Sequence, residues 1–280
     1  MSREKRRQRR IHREGKRSYK LIGSSLAGLG IVGALYFCFN REPTFEEAKA
    51  ERNKRAPYVE SVEKRFNLDE LPYIDDVLYK PEETNRPKMF IIHDNEIHGA
   101  MKTVANTETR KSVVEIYDVA FNASTTEGDF ISVLVDHEIR GHALASFDNF
   151  DGIGGLKKAE WDNLPEDLSA CVDELNAYRI QVREMRSRNT SEETTSSIRM
   201  RYVEYYSYLL TFPDTDPLVD STVLRKLREA FFIPELLSFK VSTKSGYMGP
   251  IITPQGSIIT EQGIIELPDY LKRKMGVNEK

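Results

Sequence analysis

Cysteine is nearly absent from this chain, with only Cys38 and Cys171 among 280 residues. That excludes a disulfide-stapled scaffold and a four-cysteine structural zinc site. Histidine is scarce too, five in all, so two of them at close spacing carry weight. An excess of one charge is also missing: 41 Lys and Arg stand against 44 Asp and Glu, a net charge of -3. The chain as a whole therefore has no strong field for a polyanion or a polycation. A composition of 39% hydrophobic and 30% charged residues excludes wholesale disorder and a multi-span membrane protein. The length suffices for one large domain or two small ones.

The charge is unevenly spread. Met1 to Phe39 holds 10 Lys and Arg against 2 Asp and Glu, leaving 31 against 42 for the rest. Leu21 to Phe39 then runs for 19 positions without a charge, roughly 28 Å of helix against a hydrocarbon core of ~30 Å. This predicts a transmembrane helix over 21–39 behind a basic cytoplasmic tail over 1–20, in a single-pass protein with its C-terminal domain extracytoplasmic. A cleaved signal peptide fits less well, because the apolar run exceeds the usual signal core. In this setting the basic tail orients the chain in a lipid bilayer and implies no nucleic-acid partner. Gly23, Ala27, Gly30 and Ala34 would let a second transmembrane helix approach.

Beyond it, Thr44 with Glu47 spells a capping box that opens a helix. Residues 40–88 read as a stalk of linker helices interrupted at Pro57. Met89 to Ile92 and Ser112 to Val119 are short and rich in β-branched residues, as strands are. Thr126 with Asp129 starts a helix, a second spans about Pro165 to Arg188, and further helical patterns cover Ile198 to Phe212 and Ser221 to Phe239. Ile pairs punctuated by Gly over 241–280 suggest β-hairpins. The expected fold class is α+β, with a small β-sheet and two central helices in a domain over 89–240.

The chemical signal is Val135-Asp136-His137-Glu138-Ile139-Arg140-Gly141-His142-Ala143. In HExxH, two histidines four apart share a helical face and bind zinc, and the Glu between them serves as general base. Here the interval is five residues, which turns an ideal α-helix by about 500° and leaves the imidazoles roughly 140° apart. A π-bulge would absorb the extra residue, and Gly141 is where the backbone yields most easily. HEIRGH resembles the HExxGH variant of the dipeptidyl-peptidase branch of gluzincin metallopeptidases. Downstream, Glu174-Leu175-Asn176-Ala177 looks like the second gluzincin motif, a ligand Glu followed three positions later by a small residue.

That resemblance implies a zincin-like domain in which His137, His142 and Glu174 hold Zn2+ and Glu138 is the catalytic base. It also implies an acidic side chain orienting one histidine, with Asp173 and Asp136 both open for the role. Asp148 is the rival third ligand, six residues past His142 as in metzincin-like enzymes. His93-Asp94-Asn95-Glu96-Ile97-His98 is a second metal-capable cluster that reads better as a turn. Tyr202, Tyr205, Tyr206 and Tyr208 are candidates to steady an oxyanion, although core packing suits most of them. The strand over 112–119 resembles the edge strand along which metallopeptidases hold an extended peptide. The expected function is a membrane-anchored zinc metallopeptidase acting on a peptide or protein. The competing expectation is a non-catalytic binding or scaffold protein whose motif is coincidental or decayed.

Overall fold

The computed structural model describes residues 41–81, 99–106, 108–145, 153–237, 251–253, 255–260 and 263–277. Pro43 to Lys280 forms one compact unit. Its first helix, α1 (Phe45–Ala50), starts on the capping box foreseen at Thr44 and Glu47. Helix α2 (Arg55–Arg65) carries Pro57 in its first turn, where the missing N–H costs nothing. Strand β1 (Ile74–Lys80) follows, then β2 (Met101–Asn106) and β3 (Lys111–Tyr117). The sheet order is β1-β3-β2, with β3 parallel to β1 and antiparallel to β2.

The polar turn after Asn106 joins β2 to β3. The Asn106 side-chain carbonyl accepts from the amides of Glu108 and Thr109, and Arg110 takes a left-handed φ of 51°. Helix α3 (Asp118–Ala123) leads to α4 (Glu127–Ile131), which opens on the Thr126–Asp129 capping box and runs on into a π-helical segment, Ser132–Ala143. After α5 (Lys158–Asp162) come two long helices, α6 (Glu166–Arg188) and α7 (Glu192–Thr211), joined by a tight turn with Asn189 left-handed at φ 56°. Helices α8 (Ser221–Ala230) and α9 (Pro234–Leu237) precede an antiparallel sheet of β4 (Ile251–Ile252), β5 (Ser257–Thr260) and β6 (Gly263–Glu266), and α10 (Asp269–Lys274) follows.

Two hydrophobic cores share this unit. One is built from α1, α2, the first sheet and the π segment around Phe45, Tyr58, Phe121 and Phe130. Their rings pack at 4.7 to 6.4 Å between centroids. The other is built from α6 to α10 around Tyr202, Tyr206, Leu209 and Phe231. The π segment and α6 belong to different cores and lie against each other at the seam.

Several expectations need correcting. The fold class is not the expected α+β zincin-like arrangement behind a membrane span: the protein is about 59% helical with only a small sheet, because the longest strands have seven residues and helices supply most of both cores. Among the described residues no helix is long and apolar enough to cross a membrane. The longest, α6 and α7, run 23 and 20 residues but carry charges throughout. The single-pass placement and the bilayer as partner therefore lose their support; the transmembrane helix proposed over 21–39 lies outside the described residues, as does the strand expected over 89–92. Residues 45–80 are no stalk, since Phe45, Tyr58, Val62, Ile74 and Val77 are buried in the first core. The strand expected over 112–119 is central in its sheet. The edge strand is β2, to which the sequence had assigned no structure.

Candidate metal centre

The π-helical winding of Ser132–Ala143 resolves the awkward interval. Its ladder runs five residues back, as in the bond from the Leu144 amide to the Ile139 carbonyl at 3.0 Å. Residues five apart therefore share a face, and the two imidazoles that an α-helix would separate converge. His137 Nε2 and His142 Nε2 lie 3.3 Å apart, with the rings edge to face at 4.9 Å between centroids.

Two glycines let α6 come close enough to complete the group. At Gly128 a Cβ would meet the Arg188 carbonyl oxygen at 2.1 Å, and at Gly141 it would meet Ala177 Cβ at 2.6 Å and Cα at 2.7 Å. Gly141 and Ala177, one from each motif, are thus the small surfaces on which the two elements touch. Between them, Arg188 grips the fully buried Asp136 carboxylate through Nε and Nη2, both at 2.9 Å. Asp136 is therefore part of the inter-element lock, and it holds no histidine.

On that scaffold α6 presents Glu174, whose Oε2 lies 3.6 Å from His137 Nε2 and whose Oε1 lies 3.7 Å from His142 Nε2. Neighbouring Asp173 accepts from His142 Nδ1 at 2.8 Å, which leaves the Nε2 lone pair facing the group. Glu138 is buried and accepts from the Thr103 hydroxyl at 2.7 Å, so β2 fixes its carboxylate beside the two histidines. Tyr178, one turn beyond Glu174, lays its ring 4.5 Å from that of His137.

These donors fit a tetrahedral metal ion. With bonds of about 2.0–2.2 Å, the edge between two ligands of such an ion is about 3.3–3.6 Å, and the three separations are 3.3, 3.6 and 3.7 Å. Glu174 Oε2 is buried with no hydrogen-bond partner. The charges agree: burial disfavours an imidazolium at His142, yet Asp173, with Glu174 and Glu138, outweighs it and pushes the pKa up to about 10. Burial likewise opposes ionisation of Glu174, but His137 and the positive charge of His142 hold it below the usual carboxylate range. Three carboxylates around two imidazoles make a site that draws a cation. Among the described residues His137, His142 and Glu174 are the group that can hold a metal ion.

The other candidates fall elsewhere. Asp148 and the His93 to His98 cluster lie outside the described residues. Tyr202, Tyr206 and Tyr208 give their hydroxyls to Phe231 O, Arg228 O and Asp167, away from the centre, and Tyr205 packs behind Tyr178 at 5.8 Å. Sequence reasoning missed Thr103, because nothing local announced β2. It also missed Tyr178, although four residues after Glu174 on a helix is the same face.

Comparison with protein families, curated proteins and solved structures gives no match.

Proposed function

We propose that the protein is a zinc-dependent metallohydrolase, most simply a peptidase. The observation that carries this reading is the convergence of His137, His142 and Glu174 with Glu138 held beside them. The likeness of HEIRGH and of Glu174 to Ala177 to the gluzincin motifs supports it. Zinc bound to the three residues would polarise a carbonyl and lower the pKa of a water toward ~7.

The chain's own residues supply the rest. Glu138, steadied by Thr103, takes a proton from the attacking water as the new C–O bond forms and returns it to the amide nitrogen as the C–N bond breaks. Tyr178 is the nearest phenol to the reacting carbonyl. Burial pushes its pKa well above the ordinary value, so it stays protonated and able to donate to the developing oxyanion. Strand β2 pairs with β3 on one side only, and its Thr103 reaches Glu138. An extended peptide adding to its outer edge passes the base, held by backbone bonds that tolerate many sequences.

Metal analysis and a cleavage assay on the purified protein test this. The expected result is one zinc per chain, lost in His137→Ala and in His142→Ala, and peptide cleavage that Glu138→Gln abolishes while keeping the zinc. A metal-free wild-type chain refutes the metal site. Zinc-loaded wild type that cleaves nothing in a broad peptide library, or undiminished cleavage by Glu138→Gln, refutes the chemistry.

A further inference from the structure

A cavity of about 320 Å³ opens from His137, Glu138 and Glu174 and runs between α6 and α7. One face of α6 lines it with Glu174, Tyr178 and Gln181, and α7, running the other way, contributes Arg201, Ser197 and Thr194. Antiparallel packing sets Arg201 at the metal end and Thr194 near Gln181. Seven residues of helix separate Glu174 from Gln181, about 10 Å of depth. Between the two ends the walls are apolar, formed by Ala120, Ala123 and Val133.

Gln181 has no reason in the fold to be polar. It is only 1% exposed, it lines the cavity, and its side-chain carbonyl oxygen has no hydrogen-bond partner. A buried acceptor left unpaired costs about 1–3 kcal/mol, a cost removed when something entering the cavity donates to it. Charge narrows the occupant. A carboxylate would meet the Gln181 oxygen and Asp129. A cation would pass Arg201 to reach a carboxylate already taken by the amides of Thr125, Thr126 and Ser191 at 2.8 to 3.0 Å. A long, uncharged side chain ending in a donor satisfies every wall.

We infer that this cavity is the specificity pocket of the site and that it takes a glutamine side chain flanking the cleaved bond, with Gln181 pairing amide to amide at its far end. The inference rests on the peptidase reading and names its substrate class. Gln181 is a specificity-determining residue with no part in bond breaking.

The test uses zinc-loaded full-length protein and peptides differing only in Gln, Met, Glu or Lys on either side of the cleaved bond. Wild type should favour Gln over Met, its apolar match in length, by about tenfold or more in kcat/KM. Gln181→Met should level or reverse that ratio while retaining zinc, and Thr194→Val should weaken it. Affinities of glutamine hydroxamate and methionine hydroxamate for the zinc-loaded protein, compared by calorimetry, read the same preference without turnover. Equal values for the two side chains in wild type, or an unchanged ratio in Gln181→Met, would overturn the inference and leave the peptidase reading standing. A chain without zinc overturns both, and a preserved hydroxamate ratio without turnover overturns the peptidase reading alone.

Discussion

Replacing Gly141 by alanine tests the architecture of the centre with a single methyl group. The added Cβ would stand 2.6 Å from Ala177 Cβ and 2.7 Å from Ala177 Cα, and a backbone carbon has no rotamer by which to yield. Ordinary contact begins near 3.4 Å, so the π segment and α6 must part by at least about 0.8 Å. Metal–ligand distances tolerate about 0.2 Å, so a shift four times larger takes Glu174 out of reach of an ion held by the two histidines. Overpacking of this kind costs about 1–3 kcal/mol, or about 2–12 °C in Tm for a unit of this size. Zinc affinity should fall by more than the 10–100-fold typical of losing an orienting partner. Competition with a chromogenic chelator measures the affinity, and thermal unfolding of the metal-free protein measures the packing. Adding Ala177→Gly removes the obstructing methyl and should restore most of the affinity. Wild-type zinc binding in Gly141→Ala would refute the claim that close approach at this point builds the site.

Tyr178→Phe should keep zinc and KM but lower kcat by about 10²-fold or more, the usual loss for an oxyanion donor; an unchanged kcat removes the phenol from the reaction. Asp173→Asn should weaken zinc binding about 10–100-fold, read in the same chelator competition, because it leaves His142 without the anion that aims Nε2. Arg188→Ala leaves the fully buried Asp136 with only the half-exposed Arg140 at 3.3 Å, and chemical denaturation should register a loss of about 3 kcal/mol. Burial would raise the pKa of Asp129, but backbone amides of Ser191 and Thr126 outweigh it and hold the carboxyl below its ordinary value. Its stabilising contribution is therefore complete above the unfolded pKa of about 3.9 and disappears as pH falls through the lower folded value. Urea midpoints measured from pH 5 to pH 2.5 should drop less steeply in Asp129→Asn than in wild type.

What the sequence made legible was local. The capping residues Thr44 and Thr126 announced helix starts because their hydroxyls bond amides three positions on, a distance a sequence displays directly. The five-residue interval between His137 and His142 was legible as a geometric conflict, and a wider winding was the single backbone change able to remove it. The sheet was harder to read. β1 and β3 pair in parallel across more than thirty residues, and β2 buries little beyond Met101, so no alternation marked it as a strand. The charges of 45–80 suggested a solvated stalk, whereas Arg55 is buried, bonding the Ala48 and Lys49 carbonyls and the Asp118 carboxylate at 2.6 Å. A charge satisfied from a distant strand end looks, in sequence, like one facing water.

The wide winding also sets the phase of everything after it. Each residue of an α-helix advances the chain by about 100°, so shortening HEIRGH to a five-residue motif by deletion would relax the turn and swing the downstream end by about that angle. Ala143 and Ala145, now facing inward in the two separate cores, would be carried out of them. Histidine spacing and the aim of the helix's exit are one and the same variable in this protein, so the motif cannot be trimmed to the commoner form without re-routing the polypeptide that leaves it.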